Sequence, residues 1–238
     1  MATVRGGKAI TGAAVGLLML ETRFPRLPGD VGNMASFAFP LHARVVRDAT
    51  PSRVVQQRAA GLLDAFIEAG RGLVADGVDG VVANCGFLAL YQRELAAGIG
   101  VPVLSSSLLQ VAMVNALLPP GMRAGVLTVS AKSLRSDTLA AANVPPGTPI
   151  GSTEGGTEFT RVLLNDLPEM DIGAARADNV AAALALQAAH PDLGALVLEC
   201  TNMAPFGADI AAATGLPVFT MVNLIAWFQG GLSPRRFG

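Results

Sequence analysis

The 238-residue chain has two cysteines, one tryptophan and one tyrosine, and 15% of its residues are charged. Two cysteines give no disulfide framework, so a reducing, cytoplasmic setting is expected. Basic and acidic residues nearly balance at a formal net charge of −1. No Lys/Arg cluster is dense enough to follow a phosphate backbone, which removes nucleic acid from the expected partners. Aromatics make up 5% of the chain against 51% hydrophobic residues overall, so the core must be built from Ala, Val, Leu and Ile. A membrane-length apolar run is lacking too. The apolar stretch inside RGGKAITGAAVGLLMLETRF imitates a signal peptide, but it is too short to span a bilayer. It ends in Glu21, Thr22 and Arg23 with no small-x-small cleavage pattern, so it reads as a buried first strand and no membrane partner is expected.

Metal and cofactor signatures are equally sparse. His42 and His190 lie far apart and neither sits beside a cysteine, so neither a metal site nor a Cys-His protease is expected. The only lysines, Lys8 and Lys132, lack the phosphate-binding context that a pyridoxal phosphate Schiff base needs. GSTEGGTEF (151–159) has neither a P-loop nor a dinucleotide fingerprint and reads as a connecting loop. The expectation is an absence of any cofactor.

What is present is alternation. Short apolar runs at 13–20, 80–84, 101–105, 124–129, 195–199 and 216–220 read as strands buried on both faces. Ala-rich amphipathic stretches separate them. The longest, 51–77, reads as one helix with Thr50 as N-cap and Pro51 at its first position. This pattern predicts an α/β fold with parallel sheets flanked by helices.

The halves also repeat. Cys85 precedes Pro102 by 17 residues, and Cys200 precedes Pro217 by the same 17. In both segments a cysteine opens a helix and Gly-x-Pro-Val starts the next strand, while VGLLML (15–20) matches AGVLTV (124–129). Two pseudo-symmetric Rossmann-like lobes are therefore expected, with the active-site cleft between them. Lobe one would span 1–118, with the C-terminal helix 222–238 as a candidate completion, and lobe two 119–221.

Each cysteine falls where a strand ends and a helix begins, the edge at which open parallel sheets bind ligands. A helix N-terminus stabilises negative charge, so a lowered thiol pKa is expected there. Two thiols facing one another across a cleft suit inversion of a carbon centre, one acting as base and the other as acid. Buried free cysteines are commonly mere core residues, but the matched positions in two repeats favour chemistry.

NCGF and ECTNM in a two-lobed α/β chain resemble the aspartate/glutamate/hydantoin racemase superfamily. The resemblance covers the chain from its first strand through its last helix. It implies a cofactor-independent racemase or epimerase of a small carboxylate-bearing substrate, of amino-acid or hydantoin type, working through Cys85 and Cys200, and a homo-oligomer, dimer or higher. Arylmalonate decarboxylases, which keep only the second cysteine, and maleate isomerases are relatives in that superfamily, so decarboxylation or cis-trans isomerisation stays open. A non-catalytic small-molecule binding protein on the same scaffold stays open as well.

Carried over residue by residue, the resemblance implies substrate-binding roles for Asn84, Gly86, Phe87, Thr128, Ser130, Thr201 and Asn202. Glutamate racemases have Asn-Thr where this chain has Gly86-Phe87, and His where it has Asn202, which leaves the substrate open. In the Pro/Gly-rich segment 21–33, Arg23 and Arg26 could hold a second carboxylate and Asp30 and Asn33 could line the same mouth; an ordinary surface loop is the alternative. Ser105, Ser106 and Ser107 either cap the following helix or offer a hydroxyl to the cleft.

Overall fold

The computed structural model describes residues 6–237. Two four-stranded, all-parallel sheets carry the fold. The strands are β1 (Val15–Leu20), β2 (Leu41–Val46), β3 (Gly80–Ala83) and β4 (Val103–Leu104) in one sheet, and β5 (Arg123–Thr128), β6 (Ile150–Ser152), β7 (Leu193–Leu198) and β8 (Val218–Phe219) in the other. Their orders, β2-β1-β3-β4 and β6-β5-β7-β8, are the same order applied twice. Helices α1 (Leu63–Asp76), α2 (Gln92–Ile99), α3 (Val111–Leu117), α4 (Ser136–Ala141), α5 (Phe159–Leu164), α6 (Ile172–Ala189), α7 (Gly207–Thr214) and α8 (Met221–Leu232) flank the sheets. None among the described residues is long and apolar enough to cross a membrane.

The central strands β1, β3, β5 and β7 are almost wholly buried and read as apolar runs, interrupted in β5 by its terminal Arg123 and Thr128, as covering on both faces demands. The edge strand β2 alternates partly exposed positions, and β6 is three half-buried residues. Neither has the apolar run by which a buried strand is read, so both are additions to the strands expected from sequence.

The two halves exchange helices. α8 packs Met221, Leu224 and Ile225 against Val15, Leu17, Val82 and Leu104 of the first sheet. α3, from the first half, packs instead on the second sheet, where Asn115 Oδ1 accepts from the Ala124 N–H at 2.7 Å. Each sheet is thus closed by a helix from the other half, which fixes the lobes against each other.

The helix expected over 51–77 is broken. Thr50 Oγ1 accepts from the Arg53 N–H at 3.4 Å, but only a π-helical turn, Ser52–Gln56, follows. Arg58 and Ala59 then adopt φ of 61° and 51°, a left-handed conformation that ends a helical run. α1 starts afresh at Leu63. The break brings Pro51 and Val55 to the wall of the site described next.

Candidate active site

Both cysteines follow the third strand of their sheet and open a 3-10 turn, Gly86–Tyr91 after β3 and Thr201–Phe206 after β7. α2 and α7 follow directly, and both end at a left-handed glycine, Gly100 (φ 83°) and Gly215 (φ 69°). The local reason is the same twice: an apolar strand runs out at a polar residue, Asn84 or Glu199, and the chain turns to bring the next helix back over the sheet.

These turns meet in one pocket at the carboxyl ends of the strands, with about 400 Å³ of empty space including its mouth. Asn84, Cys85, Gly86 and Phe87 line it from one turn, and Glu199, Cys200, Thr201 and Asn202 from the other. Phe24, Arg26 and α5 complete the wall. Both thiols are free and buried.

Two of the residues given substrate-binding roles by the resemblance, Thr128 and Ser130, are not on this wall. Thr128 lies behind it, where its Oγ1 donates to Glu199 Oε2 at 2.6 Å. Ser130 donates to Glu154 Oε1 at 3.0 Å and stabilises the loop around Ser152. The serines 105–107 serve structure: Ser106 caps the turn after β4, and Ser107 Oγ donates to the Leu198 carbonyl at 2.5 Å. Of the loop residues, Arg23 is largely exposed and pairs with Asp166. Arg26 turns inward, ion-paired to buried Asp30 at 2.9 Å, donating to Thr22 Oγ1 at 2.9 Å and stacked over Phe24. Asn33 Nδ2 donates to the Arg26 carbonyl. Asp30 also accepts from Asn202 Nδ2, so this loop clasps the second cysteine turn.

The electrostatics depart from the lowered thiol pKa expected from sequence. Burial, and then the charge of Glu199, push Cys85 up to about 12, with the Phe87 N–H and Arg26 pulling partly the other way. Cys200 is raised well above its ordinary value by burial and Glu199, with Cys85 and Asp30 adding to the shift. Six-residue 3-10 turns carry too little aligned dipole to overcome desolvation beside a carboxylate. Glu199 itself is pushed up to about 7 by burial, against the Thr128 hydrogen bond. Sequence reading missed this residue. Its signal was an acid closing the apolar run ALVLE at the place where Asn84 closes the other repeat. Among the described residues, no group of three or more His, Cys, Asp or Glu side chains is arranged to hold a metal.

No family model matches the chain. A dimethylsulfoniopropionate lyase from Durusdinium sp. clade D is 29% identical over 95% of this chain and 77% of its own length. The chain also matches an Emiliania huxleyi dimethylsulfoniopropionate lyase, of whose length it spans 44%. Among solved structures, arylmalonate decarboxylase superposes with a TM-score of 0.57 at 15% identity, covering 93% of both chains. A glutamate racemase from Bacillus anthracis gives 0.60 at 16% identity, covering 94% of this chain and 85% of that one. The repeated sheets, the paired cysteine turns and these superpositions together give the chain the two-lobed α/β fold seen in arylmalonate decarboxylase and glutamate racemase.

Proposed function

We propose that the chain is a cofactor-independent lyase that removes the proton α to the carboxylate of a small β-sulfonio acid, dimethylsulfoniopropionate or a close relative, and expels the sulfide. The observation that carries this reading is that two cysteines from separate repeats line one small pocket together with Arg26. The lyase relatives, aligned over 95% of the chain in one case, support elimination as the outcome.

In this reading Cys85 is the base. Burial and Glu199 raise both thiols, but Arg26 pulls Cys85 partly back toward its thiolate, whereas Cys85 and Asp30 add to the shift of Cys200, whose thiol donates to Asn202 Oδ1 at 3.6 Å. The Cys85 thiolate takes the α-proton and the Cα–H electrons form the Cα=Cβ bond. The Cβ–S bond breaks, its electron pair leaves on dimethyl sulfide, and acrylate remains. Cys85 then returns its proton to water. A high thiol pKa makes the ion scarce but strongly basic, which a weakly acidic α-proton requires. Negative charge growing on the substrate carboxylate is stabilised by the N–H groups of the two cysteine turns.

Racemisation or epimerisation, the reading from sequence, is the second candidate. The repeat favours it, because two equivalent turns present one thiol each. One incubation in heavy water separates the two. Lyase activity yields dimethyl sulfide and acrylate in equal amounts from dimethylsulfoniopropionate. Absence of both, with α-deuteration of an amino or hydroxy acid, supports racemisation and overturns the lyase reading.

A further inference from the structure

Glu199 has no part in the proton transfer, yet it occupies an unusual position. The residue is fully buried, and it lines the pocket beside Cys200. Its two oxygens are treated differently. Oε2 accepts the Thr128 hydroxyl at 2.6 Å, while Oε1 has no hydrogen-bond partner. A side chain on Gly86 would collide with Oε1 and with the Glu199 carbonyl, so the carboxylate lies directly over the Cys85 turn.

A buried carboxylate oxygen without a partner costs free energy and calls for a compensating charge. Arg26, the cation on the pocket wall, is already paired to Asp30 at 2.9 Å. Asp30 thus takes up the guanidinium, and Glu199, when ionised, has no cation paired with it among the described residues.

We propose that Glu199 is a specificity-determining residue that makes the pocket select carboxylates bearing a positive charge, sulfonium or quaternary ammonium, over carboxylates of the same shape whose other end is uncharged. This rests on the small-carboxylate reading given above but not on elimination. A cation with no N–H to donate matches the site, because Oε1 needs a charge nearby rather than a directed hydrogen bond in a dry wall. Phe87 supplies an aromatic ring on the same wall, the kind of surface on which methylated cations rest. Burial raises the Glu199 carboxyl, and a cation held beside it would favour its ionised form.

The test uses two ligands of one shape, 3-(trimethylammonio)propionate and 4,4-dimethylpentanoate, titrated calorimetrically into the full chain. The wild type should bind the cationic ligand at least about tenfold more tightly, as expected for one added charge pair in a poorly screened site. Glu199→Gln should reduce that preference to less than about threefold and bind 4,4-dimethylpentanoate, an anion that the Glu199 charge repels, at least as tightly as the wild type does, which also reports that the pocket is intact. Equal binding of both ligands by the wild type, binding of neither, or an undiminished preference in Glu199→Gln overturns the proposal. Should Glu199→Gln bind neither ligand, Glu199→Asp decides: it keeps the charge, so a retained preference supports the proposal and a lost one overturns it. Release of dimethyl sulfide with no such preference would leave the lyase reading standing without this one. The preference without sulfide release would do the reverse.

Discussion

The Thr201 hydroxyl donates to the main-chain carbonyl of Asn84 at 2.6 Å, so the residue after one cysteine is tied to the residue before the other. Both partners are buried, and Ser107 makes a parallel tie to Leu198. The relative placement of the two thiols therefore hangs on buried hydrogen bonds between the repeats. Thr201→Val removes the donor and leaves the carbonyl unmatched, which should lower stability by about 1–3 kcal/mol in urea unfolding. Turnover should fall further than that loss accounts for, with Thr201→Ser restoring it; a Val variant with wild-type turnover would show the tie to be dispensable.

The Glu199 carboxyl makes stability depend on pH in a recognisable way. Its folded value of about 7 lies above the ordinary 4.5, so the fold favours the protonated form. That stability is fully present below pH 4.5 and lost as pH rises through 7, amounting to about 3 kcal/mol for this fully buried group. Acids held low elsewhere, such as Glu154, slope the opposite way, so the informative quantity is the difference between Glu199→Gln and wild type. Guanidinium unfolding at pH 4.5 and pH 8 should show the Gln variant gaining on wild type at the higher pH. Parallel curves would contradict the ionised, uncompensated carboxylate.

Both thiols are raised, so neither should behave as an activated cysteine in the empty protein. Iodoacetamide at pH 8 should label the native chain at least about tenfold more slowly than a free thiol, whose value is about 8.5. Rapid labelling of either residue below pH 8 would restore the lowered pKa that its strand-to-helix position suggests.

Gly86 is small because Glu199 lies against it. Gly86→Ala should cost about 1–3 kcal/mol through overpacking and depress turnover by displacing the carboxylate. The same substitution at Gly61, where a Cβ meets nothing but φ is 73°, should leave turnover untouched; equal effects on turnover would remove Glu199 from the account.

Much of this was legible in the chain. Buried parallel strands announce themselves as apolar runs, and the cysteine turns repeat at one spacing, so the two lobes and their shared edge could be read directly. The edge strands β2 and β6 could not, since half-exposed strands carry the composition of loops. Nothing local in Arg58-Ala59 signals a left-handed turn, so the break before α1 was hidden. The helix exchange between sheets depends on packing at long range. Glu199 was visible as a letter but not as a group, because its importance comes from Thr128, Gly86 and burial acting together. The thiol pKa was misjudged for a related reason: chain position suggests a helix dipole, whereas desolvation and a neighbouring carboxylate decide the sign.

The most direct test of the account is the initial rate of dimethyl sulfide release from dimethylsulfoniopropionate by wild type and by Cys85→Ser. Serine is a far weaker acid than cysteine, so its alkoxide is all but absent near neutrality. The account predicts release by the wild type and a fall of at least about a thousandfold in the variant. A Cys85→Ser protein that releases the sulfide at the wild-type rate, or a wild type that releases none, would contradict it.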